Sequence, residues 1–560
     1  MNESELITQV NQGGKVMQVV KTDILVIGGG IAGCFAAIRA AKMGKSVAIL
    51  DKATLRRGGS VGPGMDHVSI GVHPDSISYE EARKYASTSK KELVDPNVTL
   101  AVDVHAYERV QDMEEFGIPV REDDGSYFIW RIPERHYCCV SYRGVDTKVK
   151  LGQAVEKTNA QVFERTMGVE LLKKDGRVVG AIGMNTRTGE LTAFLAKATI
   201  LSTGETTRQY IAPDGPYNTY FSPTNTGDAE AMAYRAGAKM VNMEFLYWDY
   251  VLVRAGGGIV GVKPFDKMAK LVNRNGDVIL NTPEESVMRC FLMQKELIEG
   301  RGPLYWDLRD LPEDVIKMHE REMSNEYPIT KQWFKQRKLD LRKDLIPMKL
   351  DPCCIMGGPL VDETLKTSVP GLYAAGATTA FARAIVGASV TGDIAGEQAS
   401  IFAETAGEPE VSTEYLKELE NTILAPLGRE EGIDPKELEL AARGLITEYV
   451  GYFKDEKMME YALEKLLDLK NNFTDKMTAS NPHELMRCCE VKSIIDYAEM
   501  HIRASLYRKE TRFRHLANYV HYRADYPDTD PKWEKWVVVE KGENNEMELS
   551  TSEIPELKEA

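Results

Sequence analysis

The run Thr22-Asp23-Ile24-Leu25-Val26-Ile27-Gly28-Gly29-Gly30-Ile31-Ala32-Gly33 joins a β-branched apolar stretch to three consecutive glycines and then to a segment of helical composition, Ile31 to Ile38. The chemistry such a stretch offers is diphosphate binding. Gly28 permits a tight turn, Gly30 lets the main chain approach a pyrophosphate, and Gly33 lets the helix pack close to the strand. Ile31 and Ala32 then present N–H groups at the helix N-terminus, where the macrodipole favours negative charge. A second strand, Ser46 to Leu50, ends at Asp51, spaced so that its carboxylate can accept hydrogen bonds from an adenosine ribose. Lys52 follows and opens a loop, Ala53 to His67, too glycine-rich for a helix. Its Arg57-Gly58-Gly59-Ser60 portion can lie along a cofactor and offer N–H groups to phosphate or ring oxygens. Strand, turn, helix, strand and acid in this order predict a dinucleotide site.

Other chemistry-bearing residues are less decisive. The segment Arg131 to Cys139 is rich in donors and could reach an anionic ligand, although solvent-facing charge accounts for it as well. Three adjacent cysteine pairs, Cys138-Cys139, Cys353-Cys354 and Cys488-Cys489, accompany Cys34 and Cys290. Neighbouring cysteines make poor disulfide partners. No C-x-x-C spacing suggests zinc or an iron–sulfur cluster, so the expectation is no metal and small buried thiols in a reducing compartment.

The elements that must position these residues read as α/β. Gln161–Arg165, Gly168–Lys173, Arg177–Met184 and Leu191–Leu201 form successive strands, with Asp175-Gly176 as a hairpin turn, and lead to Ser202-Thr203-Gly204. Asn225-Thr226-Gly227-Asp228 opens a helix from Ala229 to Gly237, capped by Thr226 or Asn225, and a strand from Met240 to Leu246 follows. Tyr79 to Phe116, Thr413 to Tyr452, Asp455 to Asn471 and Pro482 to Leu506 have helical periodicity.

With 560 residues and 43% hydrophobic content the chain can build two or three cores. Its net charge of -15 argues against nucleic acid, which needs a concentrated basic surface. It does not exclude an anionic substrate, because local arginines can reverse the field in a cleft. The polar first 21 residues carry no secretory pattern and no stretch is long enough to span a membrane, which together favour the cytoplasm.

The glycine turn, the acid at the second strand and the Arg57-Gly58-Gly59 loop resemble the opening of the flavoprotein subunits of fumarate reductase and succinate dehydrogenase, and of the alpha subunit of dissimilatory adenylylsulfate reductase. The resemblance spans about residues 20 to 535. It implies a Rossmann-like FAD-binding domain in two parts, 20–245 and 349–408. A capping domain, 246–348, is inserted between them, with a helical domain, 409–520, and a tail, 521–560, after them. The family places this end of the chain near the electron-carrier subunit, and the acidic stretch from Glu540 to Ala560 either reaches across it or is disordered.

The resemblance also implies roles. Gly59 stands where succinate dehydrogenases carry the histidine that bonds to flavin, so FAD is expected to be non-covalent. Thr203-Gly204, the Asn225-Thr226-Gly227-Asp228 run and Ala374-Ala375-Gly376 match motifs beside the cofactor, although Ala377 replaces the usual acid. Ala388 and Ser389 lie in a helix beginning near Ala382, whose N-terminus would face the flavin's pyrimidine edge. Arg254, before a glycine cluster, matches the segment carrying the proton-donating arginine, and Arg383 lies near the second substrate arginine. A guanidinium at these places would clamp a substrate anion and stabilise charge developing beside the ring.

Trp248-Asp249-Tyr250 replaces the His-Pro-Thr that contacts a C4-dicarboxylate in fumarate reductases. Cys353-Cys354 and the end of the chain, Tyr522 to Trp533, are similar to adenylylsulfate reductase alpha. The expected function is an adenylylsulfate-reductase-like subunit that exchanges electrons between a small anionic substrate at flavin N5 and a ferredoxin-like iron–sulfur partner. A fumarate- or enoate-type reductase with an altered pocket, or an electron-transfer flavoprotein without a small substrate, are the alternatives.

Overall fold

The computed structural model describes residues 7–12, 15–65, 67–74, 76–131, 137–213, 215–217, 222–253, 269–280, 288–325, 328–382, 384–514 and 519–559. Arg254 and Arg383 therefore lie outside the described residues, as does the donor-rich stretch 132–136.

The strand before the glycine turn, Lys15–Ile27, is central to an eight-stranded sheet. Val47–Asp51 and Leu191–Leu201 flank it in parallel, and Gln161–Glu164 and Leu372–Ala374 extend the parallel part on either side. Ile24, Leu25, Val26, Ala48, Ile49 and Ile200 are all buried to 1% exposure or less, as expected of parallel strands covered on both faces. The Asp175-Gly176 hairpin forms as expected between Thr166–Lys174 and Arg177–Asn185.

Two helices run along one face of this sheet, Ile31–Lys42 after the glycine turn and Ala384–Thr405 after the second return of the chain. They touch backbone to backbone. A Cβ on Gly392 would lie 2.2 Å from the Ala32 carbonyl oxygen, and one on Gly396 would lie 2.4 Å from that of Ala36. Alanine at 396 gains about 1 kcal/mol of helix propensity. A clash with main chain cannot be relieved by a rotamer and costs about 1–3 kcal/mol. Gly396→Ala is therefore expected to lower the urea midpoint at unchanged slope.

The capping sheet has Ile346–Ile355 and Leu246–Leu252 at its centre, with Leu304–Asp307, Lys270–Val272 and Val278–Leu280 to one side. On the other side it takes Tyr519–Arg523. A third sheet pairs Met240–Val241 with Trp536–Lys541, which pairs in turn with Met547–Ser552. Within the tail, Trp536–Lys541 and Met547–Ser552 are thus sheet strands, followed by residues 553–559 without regular structure. Charge on one face did not prevent this, because Trp536, Val537, Val538 and Val539 are buried on the other.

Several expected boundaries move. The stretch from Tyr79 to Phe116 is two helices, Tyr79–Thr88 and Pro96–Glu115, because Asp95 caps the second and Pro96 occupies its first turn. The strand expected from Met240 to Leu246 breaks at Asn242, whose φ of 58° ends one sheet before Leu246 enters another. Helix Asp228–Ala236 has Gly227 at its N-cap with no side-chain cap. The Thr226 hydroxyl donates instead to Asp228 Oδ2, 2.8 Å away. The helix after the second return is described from Ala384. The helical region runs through Thr413–Leu424, Pro435–Tyr449, Glu456–Phe473 and Pro482–Tyr507, each capped by the side chain before it, Ser412, Asp434, Asp455 and Asn481.

Candidate cofactor and active site

A cavity of about 530 Å³ runs from the glycine turn, past the second strand and the N-terminal part of helix Ala384–Thr405, to the wall of the capping sheet. Gly28, Gly30, Ile31, Ala32, Asp51, Lys52, Gly59, Ser60, Thr203, Gly204, Asn225, Thr226, Asp228, Gly376 and Ala388 all line it. Four expected residues do not line it. Gly33 packs the helix onto the turn, since a Cβ there would lie 1.9 Å from the Gly28 carbonyl oxygen. Arg57 donates to the Gly62 carbonyl at 3.4 Å and pairs with Asp146 at 3.6 Å. Gly58 N–H donates to the Thr54 carbonyl at 2.6 Å. Ser389 donates to the Val386 carbonyl of its own helix at 3.0 Å.

The turn is ready for a diphosphate. Gly30 caps helix Ile31–Lys42 without a side chain, and no acidic residue occupies the first turn, so its N-terminal N–H groups face no built-in anion. Asp51 accepts from Gly29 N–H at 3.0 Å and Ala53 N–H at 2.7 Å, bonds that favour the ionised form, but burial dominates and raises its pKa. Helix Ala384–Thr405 aims its own N-terminal end at the same cavity through Ala384, Ile385 and Gly387. An elongated cleft with two helix N-termini, a carboxylate and closely approaching glycine backbone suits FAD.

Toward the cap, the wall is aromatic. Tyr247 and Tyr519 stack with centroids 4.7 Å apart and planes 27° from parallel. The Tyr247 hydroxyl donates to Asp249, which faces Asp351 across the strand pair, and Lys349 Nζ lies 2.9 Å from Asp351 Oδ1. Asp249 and Asp351 are almost fully buried behind Tyr247, the member of this group that lines the cavity. Arg514, also on the wall, holds its guanidinium 4.7 Å from the Phe245 ring centroid.

Two lining acids were not expected. Burial pushes Asp103 up to about 8 and Glu230 up to about 8. For Glu230, neighbouring Asp228 adds to the shift, while its own backbone N–H and the Thr206 hydroxyl oppose it. Folded Glu230 keeps a proton that the unfolded chain releases near 4.5, so the contribution to stability is present at low pH and is lost as pH rises through about 8. Glu230→Gln is expected to flatten the pH dependence of unfolding between these values, by up to about 1.4 kcal/mol per pH unit. Denaturant melts across that range measure it.

Tyr247, Tyr519, Arg514, Asp103 and Glu230 carried no sequence signal beyond residue type, since three chain regions meet here. Cys354, of the pair noted in sequence, reaches the wall, and Met356 lies beside it there.

Residues 23–391 match the FAD binding domain family, and residues 441–558 match the fumarate reductase flavoprotein C-terminal family. The chain is a FAD-dependent oxidoreductase of the fumarate reductase and succinate dehydrogenase flavoprotein family. The flavoprotein is 27% identical to an uncharacterized FAD-dependent oxidoreductase of Methanocaldococcus jannaschii, over 93% of this chain and 96% of the relative. It is 24% identical to a fumarate reductase (CoM/CoB) subunit of Methanothermobacter marburgensis, over 94% and 98%. It shares the fold of adenylylsulfate reductase from Archaeoglobus fulgidus, with a TM-score of 0.85, 24% identity and 96% of each chain covered. Among the flavoprotein's described residues no helix is long and apolar enough to cross a membrane.

Proposed function

We propose that this flavoprotein is an adenylylsulfate-reductase-like subunit that exchanges electron pairs between a small anionic substrate, bound against the capping sheet, and a separate iron–sulfur protein. The observation that carries the reading is the continuous cavity joining the glycine turn to the Tyr247–Tyr519 wall of the capping sheet. Bound FAD supplies hydride exchange at its N5 atom.

The chain's own residues do the rest. Gly28, Gly30, Ile31 and Ala32 seat the diphosphate, and Asp51 holds the adenosine ribose. Thr203, Gly204 and Gly376 support the sugar chain, and the N–H groups near Ala388 stabilise negative charge on the ring. Arg254 clamps and polarises the substrate anion, assisted by Arg383. Tyr247, backed by Asp249, orients the substrate's polar edge. Gly59 offers no side chain for a covalent link. Although His67 lines the wall, acid precipitation is expected to release all yellow colour to the supernatant.

The iron–sulfur partner is inferred from the family resemblance and from cysteines without cluster spacing. The Methanothermobacter relative is likewise named as one subunit of its enzyme. Eight cysteines that form no disulfide among the described residues suit a reducing cytoplasm, where we place the protein.

The test is anaerobic. The dithionite-reduced protein is mixed with adenylylsulfate or fumarate, the latter representing the reductase alternative suggested by the Methanothermobacter relative, or with a ferredoxin alone. Reoxidation by a small anion that Arg254→Ala abolishes, with FAD still bound, supports the reading. Reoxidation by ferredoxin alone replaces it with the electron-transfer alternative.

A further inference from the structure

Lys52 lines the cofactor cavity, yet its ammonium is taken up by the protein. It donates to the Thr224 carbonyl at 3.1 Å, to Thr226 Oγ1 at 3.2 Å and to Asp228 Oδ2 at 3.0 Å, all in the turn that enters helix Asp228–Ala236. Its shortest contact is 2.6 Å, to Glu490 Oε1. Glu490 is 1% exposed and sits in the middle of helix Pro482–Tyr507, none of whose described residues lines the cavity. Burial works against the Lys52 charge, but Asp228 and Glu490 together outweigh it and raise its pKa.

Glu490 is fixed from behind. Its second oxygen accepts from Arg208 Nη1 at 3.2 Å, and Arg208 forms a two-pronged pair with Glu439 at 2.8 and 2.7 Å. Glu439 also takes Arg443 at 3.0 Å and Arg487. A buried ionic chain therefore runs from helices Pro435–Tyr449 and Pro482–Tyr507 to the cavity rim and ends on one lysine. Held at that end, the lysine ties the strand carrying Asp51 to the turn formed by 224–228, two stretches that line the cavity from different parts of the chain.

We infer that Glu490 is a positioning residue for the cofactor: by holding Lys52 against the 224–228 turn, it keeps the adenosine end of the cavity closed over bound FAD. Lys52 is then a latch and not a ligand. The two roles make opposite predictions for Glu490. A ligand lysine would be freed by loss of Glu490 and would bind phosphate more tightly, whereas a latch lysine would let the turn open.

The experiment follows FAD release from the purified holoprotein, read as the rise in flavin fluorescence after dilution. It needs no substrate, so its outcome is independent of the proposed reaction. Glu490→Gln and Lys52→Met are each expected to speed release by about 10-fold or more. Lys52→Arg is expected to stay near wild type, because a guanidinium spans the same oxygens. The double variant is expected to release FAD no faster than Lys52→Met alone, since Glu490 acts only through the lysine.

Slower release in Glu490→Gln, or losses that add in the double variant, would overturn the inference. So would unchanged release in the single variants with a lower melting temperature, which would make the pair a stitch between helices with no bearing on the cofactor. Should Glu490→Gln fail to fold because Arg208 loses a partner, Lys52→Met decides alone, and unchanged release overturns the inference.

Discussion

Gly28→Ala is expected to give a folded but colourless protein, with FAD affinity reduced by about a hundredfold. Gly28 has φ of 106°, and a Cβ there would lie 2.4 Å from the Ser202 carbonyl oxygen and 2.7 Å from its carbon. Neither neighbour can retreat. Ser202 N–H donates to the Ile27 carbonyl at 2.8 Å, Gly28 N–H donates to the Leu50 carbonyl at 2.8 Å, and the Ser202 hydroxyl donates to the Gly28 carbonyl at 2.8 Å. Three strand ends are pinned together here, so the turn itself must distort, at about 3 kcal/mol for strain and overpacking combined. Gly44→Ala is the control. Its φ is 77°, but nothing lies within 4 Å of the new Cβ, so it should lose only about 1 kcal/mol of stability and remain yellow. Absorbance at the flavin bands per mole of purified protein measures both.

Arg508→Met is expected to be the most destabilising single change in the C-terminal third, at about 3–5 kcal/mol. Arg508 is fully buried. Its guanidinium reaches Glu244 Oε1 at 2.6 Å, Glu510 Oε1 at 3.0 Å and the carbonyls of Trp533 and Lys535 at 2.8 Å each. Glu510 keeps Arg512 when Arg508 is lost, at 2.7 and 3.1 Å, but the Glu244 carboxylate loses its ion-pair partner at 0% exposure. The stranded carboxylate therefore dominates the cost, above the lost packing. Arg508→Met combined with Glu244→Met should recover much of the loss, since a well-packed apolar pair often equals a buried ion pair. Chemical denaturation of the two variants tests this, and equal midpoints would show that the charge is not what matters.

Local pattern revealed the part of the site that local pattern builds. The turn from Ile27 to Ile31, the strand Leu191–Leu201 leading to Thr203-Gly204, and the 26-residue helix beginning at Pro482 were legible because each is specified by neighbours in sequence. Where the competing determinant was distant, the expectation moved. Thr226 looked like a helix cap, but Asp228 and Lys52 engage its hydroxyl. Met240 to Leu246 looked like one strand, but two sheets compete for it and Asn242 turns the chain between them. The wall at Tyr247, Tyr519 and Arg514 was invisible for the same reason, because nothing near Leu246 announces that Val520 will pair with it.

That last pairing has a cost during translation. Leu246–Leu252 must wait roughly 270 residues for its neighbour Tyr519–Arg523, about 15–55 s at about 5–20 residues per second. Through that interval the half-built sheet exposes an unsatisfied edge while the glycine turn has long since left the ribosome. The nascent chain can thus meet FAD before its cap is closed, and chaperones that shield strand edges should matter to its yield more than added cofactor does.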